Sequence, residues 1–340
     1  MADRMAQVGE QRIATWENHA GRTIDIAAEM MQLALEVISQ TMFTTSMAQH
    51  IGQISHALRV SIKYAFDSFH NPLQLPLWVP TPRNREFRTV MQFMDRLMYG
   101  LLAERRRTGA THGDLLDLLL QARDEETGAG LSDQELRDEA LTIFAAGHET
   151  TANALAWTWY LLATHPEAKA RFHEEVDRVL QGRMPSADDL QHLPYTRAIF
   201  DESLRLYPPA PAVQRKAATS TTVGGLSLPE GALVLVGTYN LHRHPAFWPN
   251  AEQFLPERWL DGERSSSRYA YLPFGAGPRA CVGIHFASVE GPLLLALIGR
   301  RYDLHLAQER VEPQLMVTLR PKGGIRMMVQ PRQVPVVSVA

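Results

Sequence analysis

The chain has 340 residues, 45% of them apolar, which is enough to bury a large core in one domain or two. Its 34 basic and 37 acidic side chains give a formal charge of −3, so bulk charge predicts neither nucleic acid nor an anionic membrane as a partner. The single cysteine excludes an intramolecular disulfide and a zinc site built on several thiolates, and the sequence shows neither a signal peptide nor an apolar run of about 18 residues.

Apolar residues at helical spacing dominate the first third of the chain. This spacing predicts helical structure over residues 22–62 and 85–107. Between them, residues 71–82 contain four prolines, which remove amide donors and favour extended backbone. We therefore predict a loop there, which either packs as a connector or faces a ligand.

The longest predicted helix begins at a capping box formed by Ser132 and Glu135 and ends before Pro166. At 1.5 Å per residue, its roughly 33 residues would extend for about 49 Å and cross the molecule. Two shorter helices are predicted to follow, over residues 166–181 and 193–206.

The pattern changes to glycines and β-branched residues between positions 213 and 239, where the apolar run 232–236 favours short strands. A glycine-rich loop then precedes a last predicted helix over residues 281–300. The sequence therefore predicts a mainly α protein with a minor β part, and we treat residues 1–340 as one domain.

The only thiol, Cys281, lies in this glycine-rich loop, at the predicted start of the last helix. Free amides and the helix dipole would stabilise a thiolate there, and glycines such as Gly275 and Gly283 let the backbone approach a flat ligand. Arg279 can pair with an acidic group of such a ligand. Two other interpretations stay open, namely a buried inert cysteine and a nucleophile assisted by His285.

From Phe274 to Gly283 the segment reads Phe-x-x-Gly-x-Arg-x-Cys-x-Gly, which resembles the haem-binding signature of the cytochrome P450 family. By average composition, such a pattern arises by chance in about one chain of this length in ten thousand. The resemblance implies that Cys281 is the axial ligand of the iron of haem b, iron protoporphyrin IX. It also implies that Phe274 packs near the sulfur and that Arg279 binds a haem propionate. Such a thiolate favours cleavage of the O–O bond.

Within the long helix, residues 145–151 read Ala-Ala-Gly-His-Glu-Thr-Thr. Small residues and a mid-helix threonine favour a local kink or groove, or a close crossing with another helix. The segment resembles the oxygen-binding motif of the same family. This implies that Ala146 and Gly147 leave room for O2, and that Thr150 and Glu149 organise water and deliver protons. The acid and alcohol pair argues for chemistry that uses O2 rather than peroxide.

Glu202 and Arg205 are three residues apart on one predicted helix face, a spacing that alone indicates a surface ion pair worth at most about 1 kcal/mol. In the family the same Glu-x-x-Arg is buried and meets an arginine of a Pro-Glu-Arg-Phe/Trp segment. Residues 256–259 read Pro-Glu-Arg-Trp, so the resemblance implies a structural triad completed by Arg258. It also suggests Arg215 as a second propionate ligand.

The resemblance covers about residues 115–325, with the main motifs in order. It implies a cytochrome P450 fold that lacks the N-terminal strands, the first helices, the loop that covers the substrate, and the Trp-x-x-x-Arg helix that holds a propionate. The soluble bacterial members resemble the chain best, so we expect a cytoplasmic protein for which a membrane is an improbable partner, although an anchor upstream stays open.

The expected function is that of a monooxygenase that inserts one atom of O2 into a small hydrophobic substrate. The chain has no flavin or iron–sulfur signature, so electrons would come from a ferredoxin or a flavoprotein reductase. The alternatives are a haem-binding but catalytically impaired fragment or sensor, and, more distantly, a haem-free thiol enzyme using Cys281 and His285. The family fold would place apolar side chains over the haem, unless they are plain core. These are Ile143, Ala210, Ala212, Val213, Met316 and Val317.

Overall fold

The computed structural model of the protein describes residues 1–45, 48–70, 75–260 and 267–332. Most of these residues are helical. The helices are α1 (Ala2–Ala14), α2 (Ile26–Met42), α3 (Ile51–His70), α4 (Pro82–Thr108), α5 (Leu115–Gln121), α6 (Asp133–Thr164), α7 (Pro166–Leu180), α8 (Pro194–Leu206), α9 (Thr238–Leu241) and α10 (Ile284–Arg301).

The strands are short and form small antiparallel sheets. They are β1 (Thr23–Asp25), β2 (Val213–Lys216), β3 (Thr221–Val223), β4 (Leu226–Leu228), β5 (Leu233–Val236), β6 (Tyr302–Leu306), β7 (Pro313–Leu315), β8 (Leu319–Pro321) and β9 (Arg326–Pro331). One sheet has the order β1-β9-β6, in which Thr23 is opposite Met328 and Leu304 is opposite Val329. The pairs β2–β5, β3–β4 and β7–β8 form separate two-stranded ribbons.

The helix α6 organises the interior. Ser132 caps it, since the Glu135 amide donates to the Ser132 hydroxyl at 3.3 Å and the Ser132 amide donates to the Glu135 carboxylate at 2.8 Å. The first half of α6 packs into a core with α2, α3, α4 and α5, and its second half packs into a larger core with α1, α7, α8 and α10. Residues 145–151 therefore lie where the two cores meet.

The expectation of a mainly α protein with a minor β part is confirmed, as are the single long helix and the short strands after residue 213. The helical region expected over residues 22–62 is instead interrupted. It begins with β1, because residues 23–25 pair with β9. The helix α2 starts only afterwards, where the Asp25 carboxylate accepts the amides of Ala27 and Ala28 as its cap and also accepts the amide of Ile325 at 3.0 Å. It is interrupted again between α2 and α3, where Thr44 has a φ of 45°.

Part of the proline-rich loop expected over residues 71–82 lies outside the described residues. Positions 75–81 have neither helix nor strand, and α4 begins at Pro82, where a proline suits the first helical turn. Among the helices of the described ranges, none is both long and apolar enough to cross a bilayer.

Candidate functional site

The loop that carries Cys281 is a set of tight turns that leaves the thiol exposed. The Cys281 amide donates to the Phe274 carbonyl at 2.9 Å, and this hydrogen bond closes the loop. Gly275 and Gly277 have φ values of 70° and 72°, which residues with a side chain rarely adopt. The last helix, α10, begins at Ile284 rather than at Cys281 as expected, because Gly283 occupies the cap position.

The surroundings of the thiol fit a flat, apolar ligand bound through sulfur. Gly283 has no side chain beside the thiol, and a Cβ there would lie 3.8 Å from Cys281 Sγ. Val282 is 88% exposed, and residues 274–284 include no acidic side chain. Arg279 and Arg215 are both exposed, as ligands for a propionate would need to be, and Arg215 Nη1 donates to the Gln214 carbonyl. A single soft thiolate and a bare backbone suit haem iron.

A buried ion-pair cluster lies behind this loop. Arg205 makes two hydrogen bonds to the Glu202 carboxylate, both at 2.8 Å, and Arg258 Nε donates to the same carboxylate at 3.1 Å. Trp259 adds a fourth donor at 2.9 Å. Glu202 and Arg205 are fully buried, so the structure brings the three residues of the expected triad together in the interior rather than on the surface.

His242 joins the cluster to the cysteine loop, and no motif in the sequence pointed to this residue. Its Nε2 accepts the backbone amide of Leu272 at 2.8 Å, two residues before Phe274. An acceptor role at Nε2 requires a neutral imidazole, and burial lowers the pKa of His242 to about 4. The histidine therefore stays neutral and holds the start of the loop at physiological pH.

The small-residue segment of α6 presents Ala146 and Thr150 on one face. Ala146 is exposed in the middle of the longest helix, and the Thr150 hydroxyl, one turn on, donates to the Ala146 carbonyl at 2.8 Å. Gly147 packs against α2. A Cβ on Gly147 would lie 2.3 Å from Ile38 Cδ1, so the lack of a side chain allows the close helix crossing that the small residues of this segment predict, and its role toward O2 stays a prediction.

Glu149 is buried on the side of α6 that contacts the β7–β8 ribbon. The Thr318 hydroxyl donates to its Oε1 at 2.6 Å, and Arg320 lies 3.5 Å from the same oxygen. Burial raises the pKa of Glu149, while the Thr318 hydrogen bond and the Arg320 charge act to lower it. Among the described residues, the structure shows no hydrogen bond between Glu149 and Thr150, although the family resemblance implies that the two act together in proton delivery.

The residues expected to line a substrate pocket lie on two neighbouring segments and on α6. The Leu319 amide donates to the Pro209 carbonyl at 3.0 Å, which joins the turn of β7–β8 to the segment between α8 and β2. Ala212 is exposed and Val317 is 49% exposed. The other four members are half-buried, so the set is not plain core. They are Ile143, Ala210, Val213 and Met316.

Comparisons with known proteins agree with this geometry. The family model described as Cytochrome P450 matches residues 1–329. Cyclooctat-9-en-7-ol 5-monooxygenase of Streptomyces melanosporofaciens is 40% identical over 322 residues, which are 94% of this chain and 70% of that protein. Pentalenene oxygenase of Streptomyces avermitilis is 35% identical, over 91% of this chain and 67% of that protein. The crystal structure of the cytochrome P450DA heme domain superposes with a TM-score of 0.89 at 31% identity, over 98% of this chain and 74% of that one.

Proposed function

The chain belongs to the cytochrome P450 family of haem monooxygenases, and on that basis we propose that it inserts one atom of O2 into a hydrophobic terpenoid. The main observation in support is the exposed Cys281 thiol in its glycine-rich loop, which is supported by the buried ion pairs of Glu202 with Arg205 and Arg258. The family assignment argues against the haem-free thiol enzyme. Among the described residues, no hydrogen bond joins Cys281 to His285, as that alternative would require.

We propose haem b as the cofactor, held by Cys281 through its iron and by Arg279 and Arg215 through its propionates. Bound in this way, it would supply the activation of O2. Phe274, whose carbonyl closes the cysteine loop, packs against the larger core and supports the sulfur from the protein side.

Thr150 and Glu149 would deliver the protons that O2 activation requires. The Thr150 hydroxyl lies on the exposed face of α6 beside Ala146, where it can hold a water molecule for the reacting oxygen. Glu149 lies on the adjacent face, against the β7–β8 ribbon. Because burial raises its pKa, its carboxyl can take up a proton more readily than an exposed glutamate and can pass it on when the side chain turns.

The substrate class follows from the pocket walls and from the relatives. The six pocket residues are apolar, so they offer no fixed charge and select by shape, with about 25 cal/mol gained for each Å² of apolar surface that leaves water. The names of the relatives refer to cyclooctat-9-en-7-ol and pentalenene. We therefore propose a cyclic terpene hydrocarbon or alcohol as the substrate, and a separate ferredoxin or flavoprotein reductase as the electron donor.

Turnover in labelled oxygen tests the proposal. The haem-loaded protein is supplied with a surrogate ferredoxin and reductase, a panel of cyclic terpenes, and isotopically labelled O2. We expect hydroxylated products that contain one labelled oxygen atom. Label-free products, or a haem-loaded protein that oxidises none of the panel, would overturn the proposal, and the second result would favour a sensor.

A further inference from the structure

The turn of the β7–β8 ribbon carries a residue, Thr318, that donates a hydrogen bond to Glu149. Thr318 lies at the turn of this ribbon and is only 8% exposed, while Glu149 is 5% exposed. Two hydrogen bonds run in sequence toward the carboxylate. Asn153 Nδ2 donates to the Thr318 hydroxyl at 3.4 Å, and that hydroxyl donates to Glu149 Oε1 at 2.6 Å. A buried hydrogen bond to a charged oxygen is stronger than one between neutral groups, so it holds the carboxyl in one orientation.

The charged and titratable groups around Glu149 come from several elements. It lines a cleft of about 440 Å³ together with His148 of α6, Asp25 before α2, Arg59 of α3 and Arg320 of β8. Burial lowers the pKa of His148 to about 4, so this histidine is neutral near pH 7. Of these groups, Arg320 is the one within ion-pair distance of the carboxylate, at 3.5 Å. The Thr318 hydroxyl is therefore the closest polar contact of Glu149 among the described residues.

The same turn reaches the proposed substrate region. Met316 and Val317 immediately precede Thr318, and the Met316 amide donates to the Thr318 carbonyl at 3.0 Å. Beyond the turn the backbone is anchored, because Trp157 Nε1 donates to the Leu319 carbonyl at 3.2 Å. Thr318 therefore lies between the turn residues Met316 and Val317 and this anchor.

We propose that Thr318 is a positioning residue for Glu149, and that the β7–β8 ribbon transmits substrate contact at Met316 and Val317 to this carboxyl. The inference rests on the proposed function, in which Glu149 carries protons to the reacting oxygen. Substrate that contacts Met316 and Val317 displaces Thr318 and weakens the hydrogen bond from its hydroxyl to Glu149. The Glu149 side chain is then free to turn. Proton delivery is then favoured when substrate is present.

Two substitutions of Thr318 separate positioning from packing. Thr318→Val keeps the shape of the side chain but removes the hydroxyl donor, whereas Thr318→Ser keeps the donor and removes a methyl group. Thr158 provides the matched control, because it is a fully buried threonine of α6 whose hydroxyl donates to a carbonyl of its own helix. Thr158→Val therefore removes a buried hydroxyl from the same helix without touching Glu149.

The first readout needs no turnover. The infrared band of the protonated Glu149 carboxyl, assigned with Glu149→Gln, is titrated in each variant. We expect Thr318→Val to make the carboxyl about tenfold harder to ionise, as loss of a charge-assisted hydrogen bond implies, and Thr318→Ser and Thr158→Val to leave it near the wild-type value. Adding substrate to the wild-type protein should shift the band toward that of Thr318→Val.

The second readout is the fraction of consumed electrons that appears in product. We expect Thr318→Val to lower it several-fold at sub-saturating substrate, because its Glu149 side chain can turn and deliver protons before substrate binds. At saturating substrate the fraction should stay near the wild-type value, and Thr318→Ser should resemble wild type under both conditions. If Glu149→Gln lowers this fraction while Thr318→Val changes neither readout, the positioning role is wrong and the proposed function stands. If Glu149→Gln itself has no effect, the proton role given to Glu149 in the proposed function fails first.

Discussion

Arg205 donates a hydrogen bond from Nη1 to the backbone carbonyl of His242 at 2.8 Å, which links the buried ion pair to a loop 37 positions further along the chain. The other nitrogens of the guanidinium hold Glu202, so the arginine serves both the carboxylate and the loop. Through the ring of His242 the same loop holds Leu272, whose carbonyl accepts the Gly275 amide at 3.1 Å. The position of the Cys281 loop therefore depends on a charge cluster that does not touch the thiol.

Removing the Glu202 carboxylate should destabilise the part of the fold that positions the Cys281 loop. Glu202→Ala leaves Arg205 and Arg258 buried without their carboxylate, which costs about 3–5 kcal/mol, so we expect little folded, haem-containing protein. Glu104→Ala is the matched control, because Glu104 and Arg107 form an exposed pair with the same spacing. The yield of haem protein and its urea midpoint measure the effect, and equal behaviour of the two variants would contradict the structural role.

Glu290 makes the stability of the protein depend on pH. It is 1% exposed, and burial raises its pKa from near 4.5 to about 8, although a hydrogen bond with Thr151 acts to lower it. Between pH 4.5 and pH 8, Glu290 is ionised in the unfolded chain but keeps its carboxyl proton in the folded protein. Folding is therefore weakened as pH rises, by up to about 1.4 kcal/mol per pH unit, and the loss levels off above pH 8.

Glu290→Gln should remove this dependence. Relative to wild type, we expect the variant to gain stability progressively between pH 5 and pH 8, as measured by urea unfolding at several pH values. Whether the glutamine amide fits the site better or worse than the carboxyl, this effect on the free energy of unfolding does not depend on pH. It therefore cancels when the difference between variant and wild type at pH 5 is subtracted from that at pH 8. A constant difference between variant and wild type across this range would show that Glu290 is ionised in the folded protein.

Thr150→Ala tests the hydroxyl on the exposed face of α6. Among the described residues, the hydroxyl donates to a carbonyl of its own helix and to no other element, so we expect its loss to leave folding and haem binding intact. Proton delivery should become disordered, with roughly a tenfold or greater loss of coupling to product and a matching rise in hydrogen peroxide. Oxygen electrode and peroxide assays measure both. Unchanged coupling would remove Thr150 from the proton path.

Ala212→Phe tests one wall of the pocket. Ala212 is exposed, so a larger side chain has room and should not destabilise the fold. We expect substrate affinity or the distribution of products to change while the carbon monoxide spectrum stays that of wild type. A variant with unaltered affinity and products, whether or not its yield falls, would show that residue 212 is not part of the pocket.

Much of the architecture could be predicted because its signals are local. The capping box of α6, the prolines that begin α7 and α8, and the glycines around Cys281 act within a few residues. The β1 strand could not be predicted, because it exists only through pairing with β9, about 300 residues away. The orientation of Glu149 was missed for the same reason, since Thr318 is 169 positions distant.

Gly275 and Gly147 both belong to sequence motifs, but only one of them could be explained from its neighbours in the sequence. Gly275 is required by its own backbone conformation, which the turn-rich sequence around it already indicates. Gly147 packs against Ile38 on another helix, and although its small neighbours predict a close helix crossing, nothing near it in the sequence indicates which residue it meets. A motif can therefore predict a site, while the contacts of one of its members depend on residues from elsewhere in the fold.

The carbon monoxide difference spectrum of the reduced protein tests the central claim, namely that Cys281 is a haem thiolate ligand. The wild-type protein is compared with Cys281→Ala, which leaves the chain without any thiol. We predict a Soret band at the position characteristic of thiolate ligation in the wild type and its complete loss in the variant. A thiolate-type band that survives in Cys281→Ala, or no haem band in the wild-type protein, would contradict the account.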